Sequence, residues 1–490
     1  MRQFRPGDRR LGISIDMSDS QTRAPGRFGR LTWPDAPLSN PAAEIATVLL
    51  LCPIFLYAAL WNRFPFVFFD TGAYVLEGFA RVLVPERSSV YSLFLLYAHG
   101  RASLWYVAVT QCAITAFVVT EFARAIRPHT SLWRMLGIGL ALALFTSIAW
   151  SAGQIEPDCL TPVLVLVLYL LAFQTRQVGW IRGALLVCVA AFATAAHQSH
   201  LGLCAGLALC IALVWAASVA LRKRVRLPRP NPLLPIACFV LGLGLVYAAN
   251  YSLTQKVFIS RSGNIFLTAR LMGDGIVKRT LYDICPRQHL KLCAYKDQLS
   301  PSADNYLWGV ESPFNKLGRF KGPENEYKII VAESLRRYPL TSLATGLWGS
   351  FRQFFMFRTG DGISPQQWIL DPEFQNFMPR QYAHYLKGRQ QQDAVRFESV
   401  NVVQYPLALL AQVWLGILLW KAVKHRRWNR AALPAFVFLA LLGNALVCGL
   451  FSGPHDRYQS RLIWVPVLAL LLTEGPRLQR ALRKPVESGT

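Results

Sequence analysis

The chain has 490 residues, 53% hydrophobic and only 16% charged, with a mean hydropathy of +0.30. Globular chains carry about 25% charged residues, so an ordinary set of soluble domains is excluded and much of the apolar surface must face a bilayer. Ordinary Gly and Pro contents and 10 Cys exclude collagen-like, disordered and disulfide-dense classes, and the net charge of +25 gathers between apolar runs, as in a membrane protein's cytosolic loops, rather than along a nucleic-acid-binding face.

Residues 1–42 read as a disordered basic cytosolic tail with no signal-peptide pattern. Crossing about 30 Å of hydrocarbon takes about 20 residues of helix, and ten apolar runs approach that length. Seven fall within residues 43–250: Ala43–Trp61, Leu104–Phe122, Met135–Trp150, Cys159–Phe173, Gly183–Ala196, Leu201–Ala220 and Leu233–Ala249. Residues 251–401 form one long connection, large enough for a small domain. In it, Glu324–Arg337 reads as a helix ended by Pro339, and Leu340–Phe357 as a helix lying in the membrane interface, because Arg352 and Gln353 interrupt its apolar run. Val402–Trp420, Ala431–Phe451 and Leu462–Thr473 complete the set within 402–474, before a second basic cytosolic tail at 475–490.

Lys and Arg fix the direction. With the N-terminus inside, the cytosolic segments hold 26 of them and the opposite short loops 6. The fold class expected is therefore an all-α polytopic membrane protein of about ten transmembrane helices. Both termini are cytosolic, amphipathic juxtamembrane helices flank the bundle, and the long, mainly helical loop is extracytoplasmic. Eight Cys fall in or beside spans; Cys285 and Cys293, in the outer loop, are placed for a disulfide.

Ionisable residues at membrane depth are costly and tend to be functional, and four polar groups meet the outer face. In the first outer loop (62–103), Asp70 opens an amphipathic helix that carries Glu77 and Arg81 on its polar side, followed by Pro85-Glu86-Arg87-Ser88-Ser89-Val90-Tyr91. Asp70 fits an N-cap or a general base at the membrane boundary. Glu156 and Asp158 flank Pro157, where they fit helix capping, substrate contacts or a divalent cation. His197 and His200 share a short turn that fits either an interfacial hydrogen-bonded turn or proton transfer and phosphate contact. His455, Arg457, Tyr458 and Arg461 precede the last span; the two arginines, four residues apart, share a helix face suited to phosphate or to snorkelling toward lipid. No phosphate-binding Gly-rich loop, His-Glu-x-x-His, Gly-x-Ser-x-Gly or Cys-x-x-Cys motif competes.

The run Asp70-Thr71-Gly72-Ala73-Tyr74, the following Pro85-to-Leu93 segment and the late Arg457-Tyr458 resemble the GT-C superfamily of integral-membrane glycosyltransferases, which includes protein O-mannosyltransferases and lipid A aminoarabinose transferases. The resemblance implies inverting transfer of a sugar from a polyprenyl-phosphate donor to a lipid, glycan or protein acceptor on the extracytoplasmic face of a cell inner membrane. Asp70 would be the base, with Glu77 and Glu86 as alternative acids. Arg457 and Arg461 would clamp the donor phosphate, and the long loop would form part of the acceptor pocket. A divalent metal at Glu156 and Asp158 is optional. The competing classes are a lipid-linked-sugar flippase or transporter, which would show repeats or mid-membrane charges, and an O-antigen ligase or polymerase.

Overall fold

The computed structural model describes residues 36–474; both expected tails, apart from residues 36–42, lie outside the described residues. Among the described residues the chain is all helical, with two isolated β-bridges and no strand. The first part runs through α1 (Pro41–Asn62), α2 (Phe69–Ala80), α3 (Ser89–His99), α4 (Leu104–Ile126), α5 (Leu132–Phe145), α6 (Ile148–Ala152), α7 (Leu160–Phe173), α8 (Thr175–Val178), α9 (Trp180–Ala196), α10 (Gln198–Ala220) and α11 (Leu233–Thr254). The connection holds α12 (Gly263–Gly273), α13 (Ile276–Ile284), α14 (Ala303–Trp308), α15 (Pro313–Lys316), α16 (Glu324–Arg337), α17 (Pro339–Phe355), α18 (Gln367–Phe377) and α19 (Pro379–Leu386). The last part is α20 (Glu398–Lys424), α21 (Trp428–Phe451), α22 (Asp456–Ser460) and α23 (Trp464–Thr473).

Six helices, α1, α4, α10, α11, α20 and α21, are long and apolar enough to cross a membrane. The other four expected spans fall on α5, α7, α9 and α23, of 14, 14, 17 and 10 residues. At 1.5 Å per residue, α5 and α7 reach only about 21 Å. α5 stops because Thr146 turns its hydroxyl back on the Leu142 carbonyl at 2.6 Å, while its own carbonyl accepts from Gln404 of α20 at 2.8 Å. The expected run Met135–Trp150 is thus two helices with a polar break between them. α7 is buried on every side from Leu160 to Ala172, so it is the centre of the main core.

A second core belongs to the connection, where Ile265, Leu281, Tyr306, Phe314, Tyr327 and Ile330 join α12 through α16. Cys285 and Cys293 are joined in a disulfide at its edge. α17 lies against α21 at backbone contact: a Cβ on Gly449 would come within 2.4 Å of the Ser350 backbone. Its other side exposes Leu340, Leu343, Leu347, Trp348 and Phe351.

α2 corrects one expectation. Glu77, placed on its polar outer side by periodicity, is fully buried and accepts hydrogen bonds from Ser89 and Ser92 of α3 at 2.8 and 2.6 Å, whereas Phe69 and Val82 are exposed. Three hydroxyl and backbone donors satisfy the carboxyl inside, which removes the cost of burying it.

Candidate functional site

The start of α2 is fastened from two sides. The Thr71 hydroxyl accepts from the Phe68 N–H at 2.8 Å and donates to the Ile155 carbonyl at 3.1 Å. The Phe66 N–H donates to the Gly153 carbonyl at 3.1 Å and the Phe66 carbonyl accepts from the Ile155 N–H at 2.8 Å. Thr71 rather than Asp70 therefore caps the helix. Asp70 sits in its first turn, where the free N–H groups favour a carboxylate, and its side chain is left for other work.

Two guanidiniums meet it. Arg87 donates to Asp70 Oδ1, and Arg457 Nη1 lies 3.9 Å from Oδ2. Arg457 rests on the Phe68 ring, with Cζ 3.9 Å from its centroid, and its Nε is 3.5 Å from Asp158 Oδ2. Its backbone N–H donates to Asp361 at 3.1 Å, in a turn where Gly362 has φ +76 and a Cβ would fall 1.8 Å from Phe68. Only glycine lets that turn approach so closely.

Beneath, Arg461 donates to Asp158 Oδ1 at 2.5 Å and to Ser199, Asn444 and the Tyr458 carbonyl at 3.1–3.3 Å. It is 1% exposed, and its fork is committed to the protein. The expected pair of phosphate-facing arginines is thereby corrected: α22 has only five residues, Arg461 lies beyond it, and Arg457 alone faces the open space. At and just beneath this floor Arg87 Nε, Arg457 Nη1, Asp158 Oδ2 and Glu156 Oε1 are buried with no hydrogen-bond partner. Burial, and after it the charge on Asp70, pushes the Glu156 carboxyl well above the usual carboxylate range, which favours its protonated form.

Above lies a cavity of about 1090 Å³. Of the expected residues, Asp70, Glu86, Arg87, His197, His455, Arg457 and Tyr458 line it; Tyr91, Glu156, Asp158, His200 and Arg461 do not. Tyr91 is buried and donates to Gln111 at 2.5 Å. His200 pairs with Thr161 at 2.6 Å and the Ala193 carbonyl at 2.7 Å, so it holds helices together rather than touching a substrate. His197 caps α10 through the Ser199 N–H. Burial and then His200 hold its imidazole well below the ordinary value, which favours the neutral form. Asp158 is not a helix cap: two guanidiniums occupy it. Among the described residues no three His, Cys, Asp or Glu converge to hold a metal, and a cation at Glu156 and Asp158 would have to displace those guanidiniums.

The connection adds residues that spacing did not single out. His455 Nε2 is 3.4 Å from Asp304 and its Nδ1 3.9 Å from Asp361, while Gln353 of α17 grips the His455 backbone in both directions at 2.8 and 2.9 Å. Trp308, Arg319, Trp368 and Glu373 form the upper wall. Two faint signals existed: Asp304 and Trp308 are four apart on a helix behind a Ser302 cap, and Asp361 stands between two glycines. No family model, curated protein or solved structure matches this chain.

Proposed function

We propose that the chain is an integral-membrane glycosyltransferase, moving a sugar from a polyprenyl-phosphate donor to an acceptor on the extracytoplasmic face of a cell inner membrane. In this reading the chain crosses ten times with both termini cytosolic, an orientation that the 26-to-6 division of Lys and Arg supports. What carries the reading is the cavity floor: one carboxylate, Asp70, between two guanidiniums that keep buried N–H groups unpaired. A buried donor without a partner is expensive, and an anionic ligand oxygen supplies the missing partner.

The chemistry follows from that arrangement. An acceptor hydroxyl or amine loses its proton to Asp70 as its oxygen or nitrogen attacks the anomeric carbon of the donor. The bond from that carbon to the phosphate oxygen breaks, and the electron pair leaves on the polyprenyl phosphate. Arg87 and Arg457 stabilise the growing negative charge, and Arg87 hands its hydrogen bond from Asp70 to the phosphate as the donor seats. Glu86 lines the same cavity and remains the second acid; Glu77, enclosed by hydroxyls, has no access.

The test is transfer of labelled sugar from a panel of polyprenyl-phosphate sugars by purified protein in lipid, comparing wild type with Asp70→Asn at matched folding. Transfer lost only in the variant is the expected result. Equal transfer in both would move the base to Glu86, and no transfer with any donor, alongside movement of lipid-linked sugar across vesicles, would favour a transporter.

A further inference from the structure

The upper wall of the cavity differs in chemistry from its floor. Trp308, at the end of α14, is 44% exposed while lining the cavity, and Phe320 of the second core supports it at 6.0 Å between ring centroids. Arg319 Cζ lies 5.6 Å from the Trp308 ring centroid and Arg87 Cζ 5.9 Å from it. Arg319 forms no salt bridge among the described residues. Glu86 feels the Arg319 charge, and no ion pair joins the two among the described residues. One turn before Trp308, Asp304 also faces the cavity.

An indole left bare inside a cavity loses favourable burial until something apolar covers it. A saccharide offers what this wall asks for, an apolar C–H face for the ring and hydroxyls for a neighbouring carboxylate. A guanidinium resting beside an indole keeps its N–H edge free, and that edge suits a carboxylate or phosphate held in two bonds. Because Arg87 reaches both Trp308 and Asp70, a sugar on this wall stands next to the carboxylate that would take its proton.

We infer that Trp308 and Arg319 form an acceptor subsite for an acidic saccharide, with the sugar ring on Trp308 and its carboxylate or phosphate on Arg319. The assignment to the acceptor rests on the glycosyl-transfer reading; the subsite itself does not need turnover to be seen.

The experiment is equilibrium binding to the full-length protein in lipid nanodiscs, without donor, of a hexuronic-acid disaccharide, a phosphorylated disaccharide, the neutral disaccharide and inorganic phosphate. One of the acidic disaccharides should bind about tenfold or more tightly than the neutral one, and which of the two does so identifies the anion. Arg319→Gln should erase that preference while leaving neutral binding, and Trp308→Ala should weaken all three disaccharides. Trp308→Phe, which keeps an aromatic face, should restore most of the loss and guards against misfolding as the cause. Equal binding of acidic and neutral sugars, an undiminished preference in Arg319→Gln, inorganic phosphate matching the disaccharides, or no binding at all would each overturn the subsite. Binding that depends on Arg319 with no transfer from any polyprenyl-phosphate donor would keep the subsite and remove the transferase reading.

Discussion

Two clusters of buried charge sit at opposite ends of α1, and only one of them resembles a working site. Before its first turn ends, Glu44 joins Glu121, Arg124 and Arg182: Arg182 bonds both carboxylates at 2.8 Å and Arg124 bonds Glu121 at 2.6 Å. Past its other end, Asp70, Glu156 and Asp158 meet Arg87, Arg457 and Arg461. Both clusters combine acids with guanidiniums, so buried charge does not separate them. The difference is access: none of the first cluster lines the large cavity and it leaves one buried nitrogen, Arg124 Nε, without a hydrogen-bond partner, whereas the second leaves four such atoms, two of them on Arg87 and Arg457, which line the cavity. Charges shut away from any cavity hold helices; charges left short beside one await a ligand.

Breaking the second cluster at Asp70 gives the largest effect expected. Removal of a positioned general base costs about 10²–10⁴-fold in rate, and Asp70→Asn should reach that range in single-turnover transfer per folded molecule. An equal loss in Glu121→Gln would erase the distinction between the clusters. Within the floor, Arg457→Ala should weaken donor binding about tenfold or more, read by titrating a non-transferable polyprenyl-phosphate analogue. Arg461→Ala should instead lower stability by about 3–5 kcal/mol, because it strips the buried Asp158 of its closest partner. An unchanged donor affinity in Arg457→Ala would sink the clamp assignment.

The first cluster should answer in the opposite sense. Glu121→Ala leaves Arg124 and Arg182 without their shared carboxylate, and a broken buried pair costs about 3–5 kcal/mol. Because Arg182 is one-third exposed and water can replace part of its partner, the lower end of that range is expected. Chemical denaturation checks the stability, and transfer per folded molecule should stay at the wild-type value.

How legible all this is from the residues depends on the range of the interaction. Apolar runs place the long helices well, since length and composition are local, and Glu324–Arg337 coincides with α16 because both of its end signals are local too. Facing is another matter. Periodicity says that Glu77 and Arg81 share a side, but not that Ser89 and Ser92, across a turn, make the inside the cheaper place for Glu77. Spacing likewise pairs Arg457 with Arg461, yet the partner that separates their roles is Asp158, 303 positions from Arg461. Asp70 and Arg457 are legible as unusual charges; Asp304, Trp308 and Arg319 are not, because ordinary residues of a polar loop acquire meaning only when the loop folds over the cavity.

That loop's attachment supplies the smallest and most specific prediction. His455, just before α22, is held by Asp304 of α14, with Asp361 on its other side, while Gln353, Arg457 and Tyr458 also surround it. The hydrogen bond with Asp304 raises the His455 imidazole above its ordinary 6.5, and the same bond lowers the Asp304 carboxyl below its ordinary 3.8. A histidine raised on folding adds stability that is complete below its unfolded pKa and is lost as pH climbs through the folded one. A carboxylate lowered on folding adds stability that is complete above its unfolded pKa and is lost as pH falls through the folded one. The latch is therefore strongest between about pH 4 and pH 6.5, and it loosens as the solution turns alkaline. Asp304 is half exposed and solvent screens the pair, so the effect is a modest shift rather than unfolding. Melting temperature against pH should fall more steeply above pH 6.5 in wild type than in His455→Asn or Asp304→Asn, with the three curves converging at high pH. Parallel curves across the whole range would show that the loop is held by its apolar core and by Gln353 alone.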